Sequence, residues 1–150
     1  QGVVADYVIV MAYDEHYAGG EMGTVSSISY VKNGLADTME MVPKEKVIGA
    51  VPFYTRIWTV KDGETTSRAV GMEAAQNWVE ENQVELKWLD DVGQYYGELE
   101  GEDGSVQYIW MEDARSLGLK TEAVDGSGAA GIAFWKLGFE PDEIWDVVNP

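Results

Sequence analysis

Three nearly continuous apolar runs constrain this chain more than any other feature: Asp6-Tyr-Val-Ile-Val-Met-Ala-Tyr13, Lys46-Val-Ile-Gly-Ala-Val-Pro-Phe-Tyr54 and residues 130–136. A strand with one wet face alternates polar and apolar residues, whereas unbroken runs rich in β-branched residues suit parallel strands buried on both faces. Between the first two, Ser26 or Ser27 can cap a segment in which Ile28, Val31, Leu35, Met39 and Val42 recur at helical spacing, and Pro43 closes it. Strand, helix and strand in that order form a parallel unit with an expected right-handed crossover, so the class is α/β. Gly49 and Gly131, early in their strands, read as points of close packing.

The middle of the chain has a different pattern. A short helix is expected over 72–82, then strands over 85–89, 94–99 and 106–111, with Gly101-Glu-Asp-Gly104 as a hairpin turn. An antiparallel patch between parallel strands reads as an inserted α+β subdomain over 58–110, leaving 1–57 and 111–150 as the main body. Beyond it a helix is expected over 112–119, resuming near 120–124. Asp125-Gly-Ser-Gly128 reads as the loop into the third strand. The chain closes on a short helix with Pro141 in its first turn and acids near its positive end.

Charge narrows the partners. With 10 Lys+Arg against 27 Asp+Glu, the formal charge is −17, and a phosphate backbone or an anionic membrane surface needs the opposite sign, so neither is expected. No apolar run reaches the roughly 18 residues of a membrane span. Residues 1–13 lack the basic start of a signal peptide, which leaves a longer precursor open. There is no cysteine and one histidine, so disulfides, thiolate chemistry and a multi-histidine metal site are all excluded. Nine acids and one lysine lie between Glu80 and Asp103, which reads as a solvated face. The stretch 98–103 fits a calcium loop poorly, and no metal or cofactor is expected.

Chemistry concentrates where the runs end, because ligands of open α/β sheets and barrels bind at the carboxyl ends of strands. Met11-Ala-Tyr13-Asp14-Glu15-His16 places a phenol, two carboxylates and an imidazole at the first strand end. Asp14 serves equally well as a turn residue and Tyr13 as core. Phe53-Tyr54-Thr55-Arg56-Ile57-Trp58 puts Tyr54, Arg56 and Trp58 on one face, an aromatic and polar mixture suited to sugar rings. Tyr54 and Trp58 also suit a purely anchoring role, and Arg56 an ion pair with Asp14 or Glu15. The third run ends on Trp135, as either core or ligand platform.

Taken together, Val10-Met-Ala-Tyr-Asp14, Gly49-Ala-Val-Pro-Phe-Tyr-Thr-Arg56 and Gly131-Ile-Ala-Phe-Trp135 resemble the sixth, seventh and eighth strand motifs of the family-18 glycoside hydrolases, chitinase-like (β/α)8 barrels. The nearest branch is that of bacterial spore-cortex and cell-wall N-acetylglucosaminidases, and the likeness extends over nearly the whole chain. It implies a partial (β/α)8 TIM barrel, units six to eight, with an α+β insertion. It also implies substrate-assisted retaining hydrolysis, in which the sugar's N-acetyl oxygen attacks the anomeric carbon. By resemblance Tyr13 would hydrogen-bond the acetamido group and Asp14 would orient it. Met11 would line the pocket, Tyr54 and Arg56 would contact the sugar, Trp135 would form the stacking floor, and Glu15 and His16 would sit at the edge. The family's Asp-x-x-Asp-x-Asp-x-Glu motif, whose Glu is the general acid, is absent from the 150 residues. The chain is therefore expected to be a C-terminal half, inactive alone, from a parent that cleaves chitin or peptidoglycan outside the cell, at the wall or spore. Homodimerisation through an uncovered half-barrel surface is also expected. The alternative is a lectin-like relative that binds sugar without cleaving it.

Overall fold

A computed structural model describes residues 3–148. Two sheets organise the chain. The first is parallel, in the order β1 (Val8–Met11), β2 (Val47–Pro52), β8 (Gly131–Trp135). Its register pairs Met11 with Ala50, Ala50 with Ala133 and Pro52 with Trp135. Helices α1 (Ile28–Met39) and α3 (Ala114–Ser127) link these strands and cover one face. Val31 and Leu35 of α1, with Leu117 and Val124 of α3, pack on Val47 and Val51 in one apolar core. The packing is close: a Cβ on Gly49 would lie 2.8 Å from Val124 Cγ2, so only glycine lets this helix reach the sheet. Gly131 differs from the expectation, since a Cβ there would meet open space.

Local chemistry sets the helix ends. The hydroxyl of Ser27 accepts from the Tyr30 amide at 3.1 Å and starts α1. Asp113 and Ser116 form a reciprocal capping box for α3. The helix break expected near Leu119 and the loop expected at 125–128 do not occur: α3 runs unbroken through Ser127 and stops at left-handed Gly128. Val124, fully buried, holds the last turns to the core, which outweighs the weak helix propensity of Gly126.

The second sheet is antiparallel, in the order β4 (Glu64–Gly71), β3 (Tyr54–Lys61), β7 (Val106–Met111), β6 (Gln94–Glu100), β5 (Leu86–Leu89). The run expected as one strand over 46–54 divides at Phe53. Its amide donates to Trp135 O at 2.7 Å, after which the chain leaves one sheet and enters the other. The β3–β4 hairpin is absent from the sequence-based expectation, although Asp62-Gly63 is its signal. Both residues have positive φ, 50° and 81°, as a type I′ turn requires. Helix α2 (Met72–Glu81) covers one face, placing Ala75 and Val79 against Ile57, Val70 and Ile109. The described residues close with a 3-10 turn (Asp142–Ile144) and α4 (Trp145–Val148). Among the described residues no helix is long and apolar enough to cross a membrane.

Candidate active site

The carboxyl ends of β1 and β2 bring together residues far apart in sequence. The Tyr54 hydroxyl donates to Asp14 Oδ1 at 2.6 Å. Tyr13 meets Tyr54 edge to face, with centroids 6.2 Å apart and planes at 70°. Asp14 has φ 57°, the left-handed region that Asp and Asn enter more readily than other side chains. That conformation turns the chain aside directly after Tyr13, two residues beyond the end of β1, and leaves the Asp14 residue exposed.

The electrostatics of the two phenols follow from this placement. Burial raises the Tyr54 pKa above the usual phenol range, and the bond to Asp14 raises it further because a phenolate could not donate to a carboxylate. Tyr13 is raised by burial and by the nearby Asp14 charge. Both rings therefore stay protonated at neutral pH, as hydrogen-bond donors beside an acceptor carboxylate.

Arg56 continues on the same face of β3, two residues beyond Tyr54. It makes no ion pair with Asp14 or Glu15, the structural role that the sequence left open. Its Nη1 instead donates to Ser67 Oγ at 3.0 Å, and its Nε is buried without a partner. Glu15 does not join the cluster. Its carboxylate accepts from the Ser27 amide at 2.7 Å and the Ser27 hydroxyl at 3.1 Å, holding the loop after β1 against the start of α1. His16 is likewise a loop fastener, with Nδ1 donating to Thr24 O at 2.8 Å.

Trp135 stands 54% exposed at the end of β8. In register it pairs with Pro52, and Tyr13 lies two residues past the Met11–Ala50 pair. Tyr13 and Trp135 thus lie at the same level on either side of Pro52, two strand spacings or about 10 Å apart. Met11 is 65% exposed. It borders a hollow of about 270 Å³ along the free edge of β1, with Tyr30 and Asn33 of α1.

A second hollow, about 310 Å³, lies between the loop after β1 and the β5–β6 turn, and Glu15, His16, Met22, Asp91 and Trp110 border it. The Trp58 indole donates to Gly23 O at 2.8 Å and is sealed beneath this loop, the anchoring role that the sequence allowed for it. Deeper still, Glu112 and Lys120 form an ion pair at 0% and 1% side-chain exposure. Ser116 donates to Glu112 at 2.6 Å, and Gln94 donates to it at 3.0 Å while accepting from Thr24. Burial pushes the carboxyl of Glu112 up and the ammonium of Lys120 down. Sequence reading missed this network; its signal is Lys120 standing three residues after Leu117 and four before Val124, on the buried stripe of α3. Among the described residues no three His, Cys, Asp or Glu side chains cluster as metal ligands.

The family model for glycosyl hydrolases family 18 matches residues 2–140. The cortical fragment-lytic enzyme of Bacillus subtilis (strain 168) is 26% identical over 146 residues, which are 96% of this chain and 34% of that protein. The chitinase from Chromobacterium violaceum ATCC 12472 superposes with TM-score 0.88 at 26% identity, over 98% of this chain and 45% of its own. The Bacillus cereus spore cortex-lytic enzyme SleL does so with TM-score 0.87 at 26% identity, over 99% and 36%. The chain spans between 34% and 43% of the length of the curated relatives it matches.

Proposed function

The chain belongs to glycosyl hydrolases family 18, and from that premise we propose that it forms part of a glycoside hydrolase acting on N-acetylglucosamine-containing polymers. The observation that carries this reading is the Tyr54–Asp14 bond, with Tyr13 against it, at the ends of two adjacent parallel strands. A carboxylate held by a neutral phenol can accept the N–H of an acetamido group and set its oxygen toward the anomeric carbon. Tyr13 supplies a further donor for that oxygen. As positive charge develops on the ring and the acetamido group, the Asp14 carboxylate stabilises it. Tyr54 and Arg56 contact the sugar from the side, Met11 borders the pocket and Trp135 is the floor on which the ring stacks. Glu15 acts on the site only through the loop it holds.

We read the parallel sheet with α1 and α3 as strand-helix units six to eight of a (β/α)8 barrel, made of 1–57 and 111–150, and 58–110 as an α+β insertion. The names of the cortex-lytic relatives favour peptidoglycan of the spore or cell wall as substrate and a place outside the cell, and those of the chitinases favour chitin. In either case the Asp-x-x-Asp-x-Asp-x-Glu motif is absent from these 150 residues. No group at the site can then protonate the leaving sugar, and the chain by itself binds without turnover. A second reading, which the same cleft serves, is a lectin-like relative that binds sugar without cleaving it.

Calorimetric titration with N-acetylglucosamine oligomers tests the proposal, with a hydrolysis assay on the same samples. Binding that is saturable in the wild-type chain and lost on Asp14→Asn and Trp135→Ala, without product, is the expected result. Binding unaffected by both substitutions would overturn the site assignment, and turnover by the 150 residues would overturn the need for the missing acid. In a longer parent, Glu at the end of the upstream motif marks the enzyme and its replacement marks the binder.

A further inference from the structure

The side of the antiparallel sheet turned away from Tyr54 and Arg56 carries a hollow of about 420 Å³. Its place follows from the strand pairing. Ile57 pairs with Ile109, Ile109 with Gly97 and Gly97 with Leu86, and residues directly paired, or two apart along one strand, share a face. Leu86 and Met111 therefore stand on the face that α2 covers, and both line the hollow. Met72 and Val79 line it from α2, Ile144 from the 3-10 turn and Ala114 from the first turn of α3. Met72, Val79, Met111 and Ile144 are all buried, which makes the hollow an apolar-floored cleft between elements.

The rim has a different character. Glu80 of α2, Glu143 of the 3-10 turn and Asp113 before α3 border the cleft from three separate elements. Asp113 is committed to capping α3, its Oδ1 accepting from the Ser116 amide at 2.8 Å. Glu80 accepts only a neutral donor, Gln76 Nε2 at 3.1 Å. Among the described residues the salt bridges are Lys61–Asp103 and Glu112–Lys120, so neither Glu80 nor Glu143 has a cationic partner. Glu112 borders the cleft as well, but Lys120 compensates its charge. Arg115, the cation next to this end of α3, lies over the Trp88 ring at 3.6 Å and donates to the Tyr95 hydroxyl at 3.1 Å. An apolar floor thus meets an uncompensated negative rim.

We propose that this cleft docks an extended basic segment of a partner protein, in which lysine or arginine side chains stand beside apolar ones. Lysine and arginine lay an aliphatic stem along apolar surface and keep the charged head in water. The floor suits the stems, and Glu80 and Glu143 suit the heads. A wholly apolar occupant would strip water from these carboxylates and return nothing to them. A second copy of the chain brings the same charge of −17 and is repelled, whereas a basic segment is drawn to that field and oriented by it. The cleft and the Tyr54–Arg56 face lie on opposite sides of one sheet, so a partner held here leaves the carbohydrate site open. The inference is independent of what that site binds.

The test titrates the 150-residue chain, labelled with ¹³C at its methionine methyl groups, with the peptide acetyl-Lys-Leu-Lys-Leu-Lys-amide at about 0.15 M salt. Peptides with serine or glutamate in place of lysine serve as controls. The expected result is saturable binding of the lysine peptide that moves the Met72 and Met111 signals and leaves those of the exposed Met11, Met22 and Met41 still. Glu80→Gln combined with Glu143→Gln should weaken that binding about tenfold. Both side chains are exposed, so the fold is not at stake. Binding that leaves Met72 and Met111 motionless would be general attraction to an acidic surface and would overturn the site, as would no binding at all. Equal affinity for the serine peptide would overturn the basic partner. Movement of the same two signals with protein concentration alone would assign the cleft to a second copy instead.

Discussion

At the residue scale the site depends on one phenol keeping its proton. Tyr54 has a raised pKa, from burial first and the Asp14 bond second. In the unfolded chain the same phenol ionises near the ordinary value of about 10. The folded state therefore holds a proton that the unfolded state has released. The stabilisation is complete below pH of about 10 and is lost as pH rises from there through the folded pKa. The difference in thermal midpoint between the wild type and Tyr54→Phe should be constant from neutral pH to about 10 and shrink beyond it. A near-ultraviolet titration, taken as the difference from Tyr54→Phe, should show Tyr54 ionising above the ordinary phenol range. Asp14→Asn tolerates the positive φ and removes the negative charge, so it should bring the Tyr54 titration down toward the ordinary range. A Tyr54 ionisation, isolated by that difference, that is unmoved by Asp14→Asn would show that burial and not the bond holds the proton. Tyr54→Phe should cost about 0.5–1.5 kcal/mol in denaturant unfolding and weaken sugar binding severalfold.

The elements explain which parts were legible beforehand. The three parallel strands could be read because each run is apolar on both faces, and α1 because its core residues recur at a period that strands do not share. The Asp14–Tyr54 pair was legible only as two strand ends; their contact needs the order β1-β2-β8, which no local pattern encodes. The hairpin turn at Asp62-Gly63 was written in the sequence and passed over, because the strands beside it carry Thr, Ser and Arg in place of an apolar alternation. The Arg56–Ser67 contact depends on that hairpin and was hidden with it. The Glu112–Lys120 pair was hidden for a different reason: charges in an acidic chain read as solvated, and only the stripe of α3 says otherwise. Breaking this pair has a large expected effect. Lys120→Met leaves a carboxylate without its cation in the core and should cost about 3–5 kcal/mol. Adding Glu112→Gln removes the stranded charge and should restore part of the loss. Chemical unfolding of the single and double variants measures both. At Gly49, alanine meets Val124 and Leu35 with no room to move, and about 1–3 kcal/mol of destabilisation is expected from the same measurement.

For the molecule as a whole, the two faces of the parallel sheet are unequal. One lies under α1 and α3, while the other presents Ile9 at 56% exposure and Met11 at 65%, beside the free ladder edge of β1. An apolar face next to an unpaired edge invites a second copy of the chain. Against this stands a formal charge of −17, which makes like molecules repel. Their ranges decide the balance: at low ionic strength repulsion reaches about 30 Å, while near 1 M salt it is confined to about 3 Å and apolar contact is untouched. Self-association of the 150-residue chain should therefore rise with salt, in contrast to a dimer held by surface ion pairs, which salt dissociates. Sedimentation equilibrium at low and high salt measures this directly, and Ile9→Lys should return the high-salt sample to monomer. A monomer under all conditions would mean that repulsion and the side chains already present are enough to keep this face apart from its copies. A dimer that salt dissolves would move the contact from the sheet face to the charged surface.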